Sequence, residues 1–264
     1  MAYTTSPESL KGRKKRYVLT DAIPLADTLY KKFREFFPTK SYKKETLAAH
    51  GCLQGQCSHG DAKSSKPVIA FPMGADGHSY HCVNYTEYPE EPRFLTASSD
   101  PKHSSELGLL GLKPFNSSAK TAFLTEGIWD MLTMYENGYH VLGLPGVNNL
   151  QPEWCDIFKD KAVYVLFDND KPGHDYALKH SKLLVQHAAA VYVLRLPPSV
   201  PYKNKDHSIK DVSDLFALDT KFAEEFLKGL AAAAELVVVD PEQMIADIVA
   251  SRGNNIQKSI AVTG

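Results

Sequence analysis

Long apolar runs are missing from this chain. Nowhere in its 264 residues does a hydrophobic stretch approach the roughly 20 residues that a helix needs to cross a bilayer. The N-terminus also lacks the apolar core of a secretory signal. The two absences point to a cytosolic protein. Cysteine is scarce, four residues in all, and C-x2-C spacing is absent. His50 to Gly60 (HGCLQGQCSHG) does crowd His50, Cys52, Cys57 and His59 together. Yet a distant second ligand pair is lacking, and His81-Cys82 could complete a site only with awkward adjacent residues. Zinc is therefore not expected, and Cys52, Cys57 and Cys82 read as small buried apolar residues of a reduced protein. Cys155 has no partner pattern. A nucleotide-binding P-loop is missing too: SRGNNIQKS (Ser251 to Ser259) has Gln257 where the second glycine should stand, which argues against an ATP-driven motor.

Overall charge of one sign is lacking as well, with a net charge of −1. That balance hides an asymmetry. Between Lys11 and Lys44 eleven Lys or Arg face three Asp or Glu, 11 − 3 = +8, whereas the acids concentrate later. Such a division suits a protein that holds a phosphate backbone on one surface and metal ions on another. Hydrophobic content of 43% and charged content of 23% are those of a globular chain with a sizeable core.

The informative stretch is Thr121 to Asp170. A continuously apolar run such as Ala162 to Phe167 (AVYVLF) is expected of a parallel strand covered on both faces. Ala122 to Thr125, Val141 to Leu144 and Ala190 to Leu196 read as further strands, separated by helical segments over Gly127 to Glu136, the short stretch containing Cys155, and His174 to His187. Carboxylates follow the strands: Glu126 after one, Asp168 and Asp170 after another, with Asp130 one helical turn beyond Glu126. Ligands of open α/β sheets bind beyond the carboxyl ends of the strands. Several acids converging there repel one another unless a divalent cation sits between them, and an all-oxygen donor set favours Mg²⁺ or Mn²⁺. Upstream, Leu25, Leu29 and Phe33 mark an amphipathic helix over Pro24 to Phe37. A second helix covers Lys43 to His50, and Val68 to Pro72 with Ser79 to Tyr85 reads as a β-hairpin.

The ordered set TEGIWDML (Thr125 to Leu132), LPGVNNL (Leu144 to Leu150), FDNDKPG (Phe167 to Gly173) and KDVSDL (Lys210 to Leu215) resembles the Toprim domain in its primase form, over roughly Thr121 to Phe216. A weaker likeness to the unit that precedes Toprim in phage-type primases covers about Leu25 to Leu112. The resemblance implies an α/β fold: a Rossmann-like parallel sheet with helices on both faces, preceded by a small mixed α+β subdomain. It divides the chain into a flexible basic leader (1–20), an N-terminal template- and nucleotide-binding subdomain (21–120), a Toprim catalytic domain (121–235) and a helical tail or linker (236–264).

What the resemblance implies about activity is a DNA primase, a nucleotidyltransferase that makes short RNA primers from NTPs on single-stranded DNA with Mg²⁺ or Mn²⁺, two ions by family analogy. Its partners would be template, NTPs and a replicative helicase, fused or separate, in a bacterial or phage-infected cytoplasm. The implied catalytic residues are Glu126, Asp130, Asp168 and Asp170. The implied metal ligands are Glu126, Asp168, Asp170 and Asp211, with Asp214 a further candidate, because the pair Asp211-Val212-Ser213-Asp214 departs from the commonest spacing. Arg93, Lys102, Lys113 and Lys171 are candidates for phosphate contacts in the irregular basic surface (YPEEPRFL, LLGLKPF) and after the acidic pair. A separate zinc ribbon, which many primases carry, is not visible. Two other functions use the same features: a metal-dependent nuclease or topoisomerase-like strand cleaver, and a non-catalytic single-strand-binding accessory protein.

Overall fold

Alternation of β-branched and small residues builds the N-terminal unit. The computed structural model describes residues 17–36, 42–59, 65–84 and 94–238. Within them, β1 (Tyr17–Pro24), β2 (Leu53–His59), β3 (Ser65–Pro72), β4 (Ser79–Val83) and β5 (Phe94–Ser98) close into a barrel in that order. Closure comes from a short parallel contact in which Tyr17 and Val18 face Ala97 and Ser98. Leu19, Cys57, Val68, Ala70, Cys82 and Ala97 fill the interior. A closed ring leaves fewer free edges than the expected hairpin alone.

Three boundaries differ from the expectations above. The leader of residues 1–20 ends sooner, because Leu19 is buried and paired with Cys57, which draws 17–20 into β1; residues 1–16 lie outside the described set. Phe94 and Leu95, expected in an irregular surface, belong to β5. The Cys/His-rich segment is mostly strand β2. Helix α1 spans Asp27–Phe36 and starts later than expected, since Pro24 still pairs with Leu53 in the barrel. Its Leu29 and Phe33, one turn apart, are buried as the period demands, and Leu25 just before the helix is buried with them. Helix α2 follows at Lys44–Ala49.

The second unit is a four-stranded parallel sheet, order β7-β6-β8-β9, made of β6 (Thr121–Glu126), β7 (Val141–Leu144), β8 (Ala162–Leu166) and β9 (Ala190–Leu194). Its strands are linked by α3 (Gly127–Glu136), a 3₁₀ helix (Pro152–Phe158) and α4 (Lys171–Leu184). A small hairpin, β10 (Ser199–Tyr202) with β11 (Lys205–Ser208), leads into α5 (Val212–Leu218) and α6 (Thr220–Ala233). Successive side chains on each strand go to opposite faces. Ala122, Leu124, Val163, Val165 and Val191 pack against the 3₁₀ helix and α4. Phe123, Leu166 and Leu194 pack with α3, α5 and α6, and Phe123, Tyr164 and Tyr192 stack at centroid spacings of 5.2 and 5.0 Å.

The two units share one core. Leu29, Phe33, Tyr42 and Phe71 from the N-terminal side pack with Ile128 and Met131 of α3. The Trp129 ring meets Phe33, Tyr42, Phe71 and Phe94 at 6.0 to 6.2 Å. Leu110 bridges them in the backbone, pairing with Met73 on one side and with Gly143 of β7 on the other. Fully burying Phe33 contributes about 2–3 kcal/mol. The helical tail or linker expected over 236–264 lies, from residue 239 on, outside the described residues.

Candidate metal centre

Strand register decides which acids meet. β6 and β8 are paired with Thr125 beside Leu166, so Glu126 ends one strand level with the end of the next, and Asp168 follows two residues after Leu166. Gly127 then takes φ +82°, a left-handed conformation open to glycine. It swings the chain from β6 into α3 and brings Asp130 back over the strand ends. On the β8 side the first turn of α4 comes so close that a Cβ at Gly173 would stand 2.2 Å from the Asp168 carbonyl oxygen. The glycine at that place in FDNDKPG is therefore a packing requirement.

Asp130, Asp168 and Asp211 converge, with ligand oxygens all within 4.8 Å of one another. Asp130 is 5% exposed and accepts two hydrogen bonds on Oδ1 from Ser213, from the backbone N–H at 3.2 Å and from the hydroxyl at 2.6 Å. Burial raises the Asp168 carboxyl above the usual carboxylate range; the negative charge of Asp211 adds to the rise, and Lys210, whose Nζ lies 3.4 Å from Asp168 Oδ2, opposes it. Glu126 stands beside this group and accepts a hydrogen bond from the Asp168 backbone N–H. Burial, followed by the charges of Asp168 and Asp170, pushes its pKa up to about 7. Its Oε2 is buried without a protein partner. Mutual repulsion and an unsatisfied carboxylate oxygen are what a hard divalent cation relieves, so the donor set fits Mg²⁺ or Mn²⁺.

Residues 123–209 match a family model described as Toprim-like. Over this segment the chain is similar to Toprim-like domains. The fold of the longer chain is that of primase catalytic domains. It superimposes on the zinc-binding and RNA polymerase domains of Aquifex aeolicus primase with TM-score 0.56 at 16% identity, over 77% of this chain and 56% of that one. A DnaG primase catalytic domain solved with single-stranded DNA gives TM-score 0.57 at 13% identity, over 81% and 74%. The primase fragment of the bacteriophage T7 primase-helicase gives 0.50 at 18% identity, over 82% and 80%. A search of curated proteins found no match.

Around the carboxyl edge of the sheet the candidate acids make different contacts. Asp130, expected to be catalytic but not a metal ligand, sits inside the cluster. Asp170 lies outside the group of three: its Oδ1 accepts the Gly173 backbone N–H at 2.8 Å and caps α4. The sequence Asp170-Lys171-Pro172 is what a capped helix start looks like, and the cap moves the start of α4 ahead of the expected His174. Asp211 likewise caps α5, accepting from the Asp214 N–H at 2.9 Å, while Asp214 accepts from the Lys210 N–H at 2.9 Å. That bond holds the Lys210–Asp211 turn together rather than adding Asp214 to the cluster.

The basic candidates are dispersed. Lys171 is exposed and paired to Asp175 one turn along α4 at 2.6 Å. Lys113 lies over Gly51 and the Cys52 thiol at the end of α2. Lys102 is exposed in the loop after β5, where its backbone N–H bonds Asp100. Arg93 lies outside the described residues. The cysteines are buried and free, with a Cys57–Cys82 thiol hydrogen bond across the barrel interior.

Three participants escaped the sequence reading. Lys210 was visible as the lysine directly before Asp211. Asn169, between the two acids, ties the loops together: its backbone N–H bonds Lys210 O at 2.6 Å and its amide bonds Ile209 O at 3.2 Å. Ser213 had no signal beyond its place in the KDVSDL motif.

Proposed function

We propose that this chain is a primase-type nucleotidyltransferase, joining ribonucleotides into short RNA primers on single-stranded DNA with Mg²⁺ or Mn²⁺. The observation that carries the reading is the convergence of Asp130, Asp168 and Asp211 at the carboxyl edge of the parallel sheet, with Glu126 alongside. In the reaction the primer 3′-oxygen bonds to the α-phosphorus of an incoming NTP while the bond from that phosphorus to the bridging oxygen breaks, and pyrophosphate leaves. A divalent ion, when bound, would supply a Lewis acid that eases loss of the hydroxyl proton and offsets charge on the leaving group. Asp130, Asp168 and Asp211 would hold it.

Glu126, with a pKa of about 7, is suited to take the 3′-hydroxyl proton, because a general base works best near the ambient pH. Lys210, with its pKa raised by the Asp168 charge, stays cationic and can meet a phosphate oxygen. Among the described residues no helix is long and apolar enough to cross a membrane, in keeping with work on DNA in the cytoplasm. The likeness to a primase-helicase fragment makes a replicative helicase, fused or separate, a reasonable partner.

The test is the purified chain with Mn²⁺ or Mg²⁺, single-stranded DNA and labelled NTPs. Short oligoribonucleotides are expected, and Asp168→Ala is expected to abolish them. DNA cleavage without NTP incorporation would instead identify a nuclease, and DNA binding without either reaction would identify an accessory protein.

A further inference from the structure

Asp130 is held in the acidic cluster by Ser213 of α5, and the shorter of the two bonds comes from a hydroxyl. Ser213 Oγ donates to Asp130 Oδ1 at 2.6 Å. Behind it, Thr133 Oγ1 lies 3.0 Å from Ser213 Oγ and 3.2 Å from the Tyr42 hydroxyl. Tyr42 also reaches the Trp129 carbonyl at 2.8 Å, and its ring stacks on Trp129 at 6.1 Å and 6°. Tyr42 lies just before α2, on the N-terminal side of the molecule, and is buried there.

The proton count fixes both ends of this chain. A carboxylate accepts and cannot donate, so Ser213 must spend its single hydroxyl hydrogen on Asp130. The Trp129 carbonyl likewise only accepts, so the Tyr42 hydroxyl spends its hydrogen there, and Thr133, between two hydroxyls that have each spent theirs, donates to Ser213 or to Tyr42. A Thr133 hydrogen directed at Ser213 polarises the Ser213 bond to Asp130. The Tyr42 hydroxyl is pushed well above its ordinary range, first by burial and then, after the relief its Thr133 bond gives, by the charges of Asp130 and Asp211, so it stays protonated and keeps its bond to the Trp129 carbonyl.

We infer that Ser213, backed by Thr133 and Tyr42, is the positioning group that orients the Asp130 carboxylate for a divalent cation, and that Tyr42 ties this orientation to the packing of the N-terminal unit. The inference rests on the metal-site reading under Proposed function. Ser213 touches no reacting atom. It holds one carboxylate oxygen in a fixed direction, and groups that orient a ligand in this way are commonly worth 10- to 100-fold in metal affinity.

The experiment is calorimetric titration of Mn²⁺ into the full chain, without nucleotide or DNA, beside the priming assay. Ser213→Ala is expected to weaken Mn²⁺ binding by about tenfold or more while melting in EDTA within a few degrees of the wild type. Ser213→Thr keeps the hydroxyl and is expected to recover most of the affinity, and Tyr42→Phe is expected to weaken binding less than Ser213→Ala. Ser213→Ala binding Mn²⁺ as tightly as the wild type would overturn the inference, as would Ser213→Thr failing as badly as Ser213→Ala. A wild type that binds no Mn²⁺ would overturn the metal-site reading and this inference with it. A wild type that binds Mn²⁺, is weakened by Ser213→Ala and yet makes no primers would sustain the inference while removing the primase reading.

Discussion

The Lys210 ammonium stands 3.4 Å from Asp168 Oδ2, and it is the positive charge that Asp168 and Glu126 both feel. In the absence of metal it partly neutralises a group of carboxylates that would otherwise repel one another. Lys210→Ala is therefore expected to lower stability in EDTA by up to about 1 kcal/mol, a small figure because the lysine is largely exposed and the pair is screened by solvent. The same change removes a competitor of the cation, so Mg²⁺ should raise the melting temperature of the variant more than that of the wild type. Thermal melts in EDTA and in Mg²⁺ decide it; an equal or smaller rise in the variant contradicts the idea.

His81 predicts a pH dependence that belongs to the barrel and not to the acids. Burial lowers its pKa to about 4, and it stacks on Phe94 at 4.4 Å with Nδ1 unpartnered. The folded value is below the unfolded one, so the unfolded chain takes up a proton first as pH falls. The stability this group contributes is complete above about 6.5 and is lost as pH drops toward 4. His81→Phe cannot take up that proton. Its stability relative to the wild type should rise across this window by on the order of 3 kcal/mol at most, as read by denaturant unfolding at each pH. A constant difference between the two proteins would mean that His81 is protonated in the fold.

Gly173→Ala probes the contact between α4 and the Asp168 loop. The added methyl would meet the Asp168 carbonyl oxygen at 2.2 Å, so either the helix start or the loop must shift. Overpacking of this kind typically costs 1–3 kcal/mol. Because Asp168 moves with its loop, Mn²⁺ affinity should fall along with stability. Loss of stability at unchanged affinity would show that the helix alone gives way.

Much of the sheet was legible because a strand buried on both faces has to be apolar throughout, and Ala122 to Thr125, Val141 to Leu144 and Ala162 to Phe167 are. The acids' order along the chain was legible for the same reason, since each follows such a run. Closure of the barrel was not. Its parallel contact joins Tyr17 and Val18 to Ala97 and Ser98, some eighty residues apart, and nothing local in either segment specifies the other. Asp170 is a ligand candidate in the sequence, and Pro172 and Gly173 after it also describe a helix cap. One carboxylate can serve either purpose, and the chain gives no distances.

The sequence by itself determined that this protein has a parallel α/β sheet with acids at its carboxyl edge, because burial on two faces and the strand-to-helix turn at Gly127 are local requirements. Only the tertiary structure decided which acids share a centre. Asp130 joins Asp168 and Asp211 because α5 packs against α3 and brings Ser213 to it, while one Asp170 oxygen accepts the Gly173 N–H of its own helix. Which of two partners a carboxylate faces depends on separations of a few ångströms set by packing between distant segments, and those separations exist only once the chain has folded.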